Sequence, residues 1–142
     1  MKLQKNTLLG LYSVLEFAAQ PGRQLSVAGI AAHLGVSPHH LAKVLRTLGR
    51  AGVVDSVRGA RGGYRFVGNP RRLTLMDVVG LFEEVGAAPA RARRGAHAAE
   101  QALDEVLAEI DANAQATLGS VTLDTMLKLI ARRAAAGGRG RG

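Results

Sequence analysis

Residues 37–66 read SPHHLAKVLRTLGRAGVVDSVRGARGGYRF, and this stretch decides the fold. Its leading serine is of the type that caps a helix N-terminus, and Pro38 suits the first helical position because its missing N–H would be unpaired there anyway. Ala51-Gly52 ends the helical pattern, and a largely alternating pattern follows. The stretch therefore predicts a helix from His39 to about Arg50 and then two short strands.

This predicted helix has two opposite faces. At about 100° per residue, its leucines and valine fall on one side, and its basic residues and first histidine fall on the other. The charged face of a lone helix is usually only solvated. Here a short helix and a glycine-containing turn come before it, which is typical of a helix-turn-helix whose second helix enters the major groove of DNA. The apolar face comprises Leu41, Val44, Leu45 and Leu48, and the basic face comprises His39, Lys43, Arg46 and Arg50.

Two helices are predicted ahead of this one. Apolar residues at helical spacing indicate a helix within residues 6–20, which Pro21-Gly22 ends. Ser26 can cap a second, shorter helix, which Gly35 ends. The apolar face predicted for the first helix comprises Leu8, Leu11, Tyr12 and Leu15.

The two predicted strands, residues 53–57 and 64–67, are joined by a tip rich in glycine and arginine. Glycine permits a sharp turn and a close approach to a sugar–phosphate edge, while Arg58 and Arg61 suit phosphates or a narrow minor groove. An ordinary glycine-rich hairpin would account for the glycines but not for the arginines. We therefore interpret the hairpin as the wing of a winged helix-turn-helix.

The second half of the chain predicts three more helices. Thr74 and Asp77 have the spacing of a capping box, which would open a helix reaching about Phe82. Residues 103–118 carry apolar side chains at helical spacing, and they form a longer apolar stripe than one small domain needs. The alternative is that this stripe folds back onto the first helix of its own chain. Thr122 is positioned to cap a final helix.

The positive charge belongs to the first half of the chain. Residues 1–75 carry 11 Lys and Arg against two acidic residues, a balance of +9, whereas residues 76–142 carry eight against nine, a balance of −1, consistent with the net charge of +8. A one-sided positive field indicates a polyanionic partner, most often nucleic acid or an anionic membrane surface.

The composition excludes several kinds of site. The 142 residues include no cysteine, so disulfides, thiolate zinc sites, cysteine nucleophiles and cysteine-ligated clusters are ruled out. The glycine-rich tip lacks the G-K-[ST] ending of a phosphate-binding loop, and no nucleophile is paired with a base, so we expect no enzyme activity. The N-terminal apolar run is too short for a membrane span and lacks a clear cleavage site, which favours a cytoplasmic protein.

Five motifs together resemble the Rrf2 family of bacterial transcription regulators. They are the opening MKL, the VSPHHL turn into the third helix, the RAGVV exit with the VRGARGGY wing, NPRRLTLMDVV, and SVTLD. The resemblance implies a mainly α fold with a two-stranded β wing and a long C-terminal dimerisation helix. It also implies a homodimer on a partly palindromic DNA operator, with each recognition helix in a major groove and each wing near a minor groove.

The sequence departs from the family at one place. Many members carry three cysteines after the helix that contains Phe82, and these hold an iron–sulfur cluster, but here residues 83–100 read EEVGAAPARARRGAHAAE. A cluster needs several soft thiolate ligands, and His97 alone makes a poor metal site. We therefore predict no metal and no cofactor. Three alternatives stay open for this segment: it binds a small-molecule effector, it contacts a partner protein, or it has no binding role.

Together these observations predict a sequence-specific, homodimeric DNA-binding regulator, a repressor, without a cluster. The alternative is a partner-dependent interaction protein whose DNA binding is secondary. We expect a DNA-binding domain over residues 1–84, a loop over 85–98, dimerisation helices over 99–133 and a flexible basic tail over 134–142. The predicted DNA-binding residues are Ser37, His39, His40, Lys43, Arg46, Arg50, Arg58, Arg61, Gly62, Gly63 and Tyr64, and the predicted dimerisation residues are Leu103, Val106, Leu107, Ile110, Ala114 and Leu118.

Overall fold

The computed structural model describes residues 2–58, 62–85 and 97–139. These residues form a mainly helical fold with one two-stranded antiparallel sheet, which confirms the predicted fold class. The elements are α1 (Lys5–Ala18), α2 (Val27–Leu34), α3 (Pro38–Arg50), β1 (Val54–Val57), β2 (Gly63–Phe66), α4 (Leu75–Val79), α5 (Ala98–Ser120) and α6 (Leu123–Arg139).

The helix-turn-helix is formed by α2 and α3, with the predicted caps in place. The Ser26 hydroxyl accepts a hydrogen bond from the backbone N–H of Gly29 at 3.0 Å, and the Ser37 hydroxyl accepts one from the N–H of His40 at 3.0 Å. Gly35 ends α2 in the left-handed region at φ +68°, where a side chain would be strained. Local sequence signals therefore set both ends of the turn that aims α3.

The core lies around α1, and the face predicted for that helix is right for Leu11 and Leu15 but wrong for Leu8 and Tyr12. Val14 and Phe17 are fully buried, whereas Leu8 and Tyr12 are 36% and 54% exposed. The reason is that α1 is apolar on most of its circumference and packs against α3, α4 and α6 on different sides. Spacing alone could not show which sides neighbours would cover.

The first turn of α1 is held by a residue that is distant in the chain. Gln4 offers no side-chain cap, and instead a Glu83 carboxylate oxygen accepts hydrogen bonds from the Gln4 N–H at 2.9 Å and from the buried Thr7 hydroxyl. Phe82 fills the space that a side chain at Gly10 would occupy. The residues just after α4 are thus fastened to the start of α1.

The capping box at the start of α4 is confirmed, since Thr74 and Asp77 exchange side-chain-to-backbone hydrogen bonds of 2.9 and 3.1 Å. The helix is short, however, and ends at Val79 rather than near Phe82. The strand-like residue before it pairs with the residue before α6, through the bridge between Thr74 and Thr122. The Leu123 N–H donates to the Leu73 carbonyl at 2.8 Å, and the Leu123 side chain is fully buried in the core.

The two C-terminal helices extend further than predicted. Helix α5 begins at Ala98, and residues 86–96 of the predicted loop lie outside the described residues. Helix α6 continues to Arg139, so the first six residues of the predicted tail are helical, because alanines 134–136 favour a helix. Residues 140–142 lie outside the described part. Among the described helices, none is long and apolar enough to cross a bilayer.

Candidate nucleic-acid interface

The basic face of α3 is exposed along its whole length. Its four predicted residues fall within an arc of about 60° on the helix, while the opposite side is fully or almost fully buried. None of the four has an ion-pair partner among the residues that the structure describes. These exposed residues are His39, Lys43, Arg46 and Arg50.

Ser37 and His40 differ from these four in their environment. Ser37 is exposed, but its hydroxyl is used as the N-cap of α3. His40 is only partly exposed, and its Nε2 atom is buried with no hydrogen-bond partner in the described part of the chain. His40 therefore lies at the border of the basic face and packs inward rather than standing on the surface with His39.

The wing follows α3 directly and its register is well defined. Val54 pairs with Phe66 and turns toward the core, and on the other side of the hairpin Asp55 pairs with Arg65, with 3.6 Å between their charged atoms. Arg58 is exposed at the end of β1, whereas Arg61 lies outside the described residues. Arg58 is thus exposed near the wing tip and has no carboxylate partner among the described residues.

A groove of about 250 Å³ lies between the last turns of α3 and the wing. Arg46 and Arg50 line it from the helix, and Ser56 and Tyr64, which pair across the hairpin, line it from the sheet. Asp55 also lines the groove, and its carboxylate is paired with Arg65. Guanidinium and hydroxyl groups are the donors that commonly contact DNA phosphates. The sequence did not predict Ser56 as a residue of this interface. Its position opposite Tyr64 in the hairpin, which the sequence alone does not fix, brings it to the groove.

Gly62 and Gly63 have different environments, and the burial of Gly63 does not support its predicted contact with DNA. Gly62 is exposed and adopts φ +52°, which suits a turn. Gly63 is buried, because the chain there lies directly against Leu25: a Cβ on Gly63 would be 2.7 Å from the Leu25 carbonyl oxygen. Tyr64 and Leu25 exchange backbone hydrogen bonds of 2.9 and 3.0 Å, so this close approach anchors the wing beside α2.

Replacing Gly63 with alanine is expected to destabilise the protein by about 1–3 kcal/mol, because backbone atoms on both sides must move apart. We also expect weaker DNA binding, since the wing would lose its anchor to Leu25. Urea unfolding and a DNA titration would measure the two effects. Gly137→Ala is the control, because nothing lies near that helical glycine. Unchanged unfolding and DNA binding of Gly63→Ala would show that the close approach is not constraining.

A second exposed surface lies on α5, where no residue is buried. Four large apolar side chains form a stripe and are 43–58% exposed, which is unusual for a stable surface. The adjoining side of the helix packs on α4, and there Ala114 and Leu118 are half-buried. The stripe does not fold back onto α1, so that alternative is wrong. We call it the α5 stripe, and it comprises Leu103, Val106, Leu107 and Ile110.

Comparison with known proteins identifies the family. The family model described as Rrf2, iron-dependent transcriptional regulator, matches residues 3–129. The chain is 51% identical over 130 residues to a protein of Rhodopseudomonas palustris named as the HTH-type transcriptional regulator BadM, covering 92% of this chain and 83% of that protein.

The iron in the family description does not fit this chain. There is no cysteine in the sequence, so a thiolate-ligated cluster has no ligands. Within residues 2–58, 62–85 and 97–139, no three His, Asp or Glu side chains come together as a metal site. His97 is exposed at the start of α5. The described residues therefore provide no site for iron.

Solved structures share the fold described above. The global cysteine regulator CymR of B. subtilis is 27% identical with a TM-score of 0.76, over 91% of this chain and 98% of that one. IscR of T. potens is 26% identical with a TM-score of 0.67, over 90% and 87%. The family model, the BadM relative, the helix-turn-helix and the anchored wing agree, and the chain belongs to the Rrf2 family of transcriptional regulators.

Proposed function

We propose that this protein is a cytoplasmic, homodimeric repressor that binds a double-stranded DNA operator without a metal or cofactor. The observation that carries the proposal is the unpaired basic face of α3, which continues into the groove beside the wing. A helix of this kind fits the major groove, and a wing beside it reaches the neighbouring backbone or minor groove. The interaction-protein alternative is not favoured, because the family consists of transcriptional regulators.

The residues divide into two kinds of DNA contact. Arg46 and Lys43 stand near the middle of the exposed face of α3, where side chains reach base edges when the helix lies in the groove. Arg50 lines the groove next to the wing together with Ser56, and these groups suit a phosphate of one strand. Arg58 extends the positive surface toward the wing tip. The side chains of α3 would therefore discriminate between DNA sequences, and the contacts in the groove would fix the position of the protein along the DNA.

Dimerisation is supported by the α5 stripe. Solvent contact for four large apolar side chains in a row is unfavourable, and a second copy of the same stripe would remove them from water. A cleft of about 210 Å³ between α1 and α6, lined by Tyr12, Leu15 and Ile130, adds further uncovered apolar surface. A two-fold dimer would present two α3 helices to half-sites about one turn of DNA apart, or a multiple of that.

Arg46→Ala is expected to weaken operator binding by about 1–3 kcal/mol and to relax discrimination at one base pair of each half-site. The measurement is a titration of wild-type and variant protein against the operator and single-base variants of it. Arg71→Ala is the matched control, because Arg71 is exposed but lies in a turn whose backbone bonds to the start of α6. A uniform loss of affinity with a salt slope lower by about 1 would instead assign Arg46 to a phosphate.

The proposal as a whole is tested with DNA from upstream of the protein's own gene. Protein is titrated into the labelled fragment at several salt concentrations, with a scrambled fragment of equal length as competitor. We expect binding at least about 10³-fold tighter than to the competitor. Equal, steeply salt-dependent binding to both fragments would contradict sequence-specific recognition of that fragment.

A further inference from the structure

The two C-terminal helices carry opposite charges. Residues 98–120, which form α5, contain five carboxylates and no Lys or Arg. Residues 123–139, which form α6, contain four Lys and Arg and one carboxylate. The acidic helix is also the one that carries the α5 stripe. Both helices lie outside the helix-turn-helix and the wing, so DNA contact by α3 does not explain their opposite charges.

One acidic residue borders the α5 stripe on its free side. At about 100° per residue, Glu109 falls beside Val106, away from the side that packs on α4, whereas Glu105 lies further round the helix and faces away from the stripe. Glu109 is exposed and lacks an ion-pair partner among the described residues. Asp104 and Asp111, by contrast, border the stripe on the α4 side and are half-buried. The free border of the stripe is therefore negative.

Helix α6 has the matching features with the opposite sign. Leu129 and Ile130 are 45% and 44% exposed, and Arg132 and Arg133 follow them on the exposed surface. In the described part of the chain neither arginine has an ion-pair partner, whereas Lys128 lies 3.1 Å from Asp124. By helical angle, Arg133 falls between the two exposed apolar side chains. An apolar patch bordered by positive charge thus lies on α6.

These two surfaces do not pair within the described part of one chain. Only residues 121 and 122 separate α5 from α6, yet the two helices pack on different neighbours: α5 packs on α4, and α6 packs on α1. We infer that Glu109 of one protomer pairs with the partner's Arg132 and the partner's Arg133, and that this pairing selects a second copy of this chain as the dimer partner. The inference rests on the proposed dimer. Two-fold symmetry makes each pairing occur twice.

The test uses charge reversal on each helix separately. One variant carries Glu109→Lys, and the other carries Arg132→Glu and Arg133→Glu. Each alone is expected to raise the dimer dissociation constant by about tenfold or more, because like charges then face each other twice. An equimolar mixture should form heterodimers about as stable as the wild-type dimer, since opposite charges then face each other at both copies of the contact. Sedimentation equilibrium measures the association, and the control is Arg71→Glu with Arg72→Glu, which makes the charge change of the arginine variant in an exposed turn.

The outcomes separate the inference from the proposed function. If the wild-type protein is a dimer and each charge-reversed variant associates equally well, the charge pairing is overturned but the proposed dimer is not. Weakened variants that do not recover on mixing would also overturn it, because complementary charges would then be without effect. A wild-type protein that stays monomeric would overturn the dimer itself. Arginine variants that lose DNA affinity but keep normal association would assign the α6 arginines to DNA instead.

Discussion

Replacing Ile110 with aspartate is expected to convert the protein from a dimer into a folded monomer. Ile110 is the last residue of the α5 stripe and is 54% exposed in the single chain, so the change costs the monomer little. In the dimer it would bury two unpaired carboxylates, each costing about 3–5 kcal/mol. Operator affinity should fall on the order of 10²- to 10⁴-fold, because the two half-sites are no longer bound together.

Sedimentation velocity and the operator titration measure these two effects, and circular dichroism checks that the monomer is folded. Ala112→Asp is the matched control, since it adds the same carboxylate to the same helix on an exposed side facing away from the stripe. That variant should dimerise and bind DNA like the wild type. If the Ile110→Asp protein is still a dimer, the α5 stripe is not the dimer interface.

Leu45→Ala is expected to have the largest effect on stability. Leu45 lies on the inner side of α3 and is fully buried in the core. Removing a buried leucine side chain costs about 2–5 kcal/mol, which is a large share of the roughly 5–15 kcal/mol that stabilise a typical domain. Because α3 also carries the basic face, the variant should lose DNA binding as it unfolds.

Urea unfolding checks this expectation, with Leu81→Ala as the control. Leu81→Ala removes the same atoms from a side chain that is 36% exposed, so its free energy of unfolding should fall by well under half as much as that of Leu45→Ala. Similar shifts of the unfolding midpoint for the two variants would mean that the packing of α3 contributes no more than an ordinary surface contact.

The local signals of the sequence predicted the DNA-binding elements well. The helix caps at Ser26, Ser37 and Thr74 bond to residues three positions away, so they can be predicted without knowledge of the fold. The two faces of α3 follow from the spacing of its residues alone. The exposure of Leu8 and Tyr12 on α1 and the burial of Gly63 depended on neighbours distant in the chain. The Leu25 backbone that covers Gly63 comes from 38 positions earlier, and no local pattern reports it.

The proposed dimer surface was predicted from an excess of apolar residues, but its limits were not. The six residues proposed for it divide into four exposed ones and two, Ala114 and Leu118, that also serve the contact with α4. A helix shows from its spacing that one side is apolar, but not which part of that side its own chain covers. The extent of α6 was underestimated because alanine and glycine follow one another there, and the helix continues through both.

The position of Leu123 has a consequence for the order of folding. The side chain that completes the core around α1 comes from the start of the last helix, and Glu83 caps the first helix from 79 positions away. Closing such long segments is entropically costly and slows folding. A nascent chain that ends before residue 123 would lack both the last core side chain and its bond to Leu73. We therefore expect the DNA-binding half to reach its full stability only after residue 123 has been synthesised, and shorter chains to bind an operator more weakly.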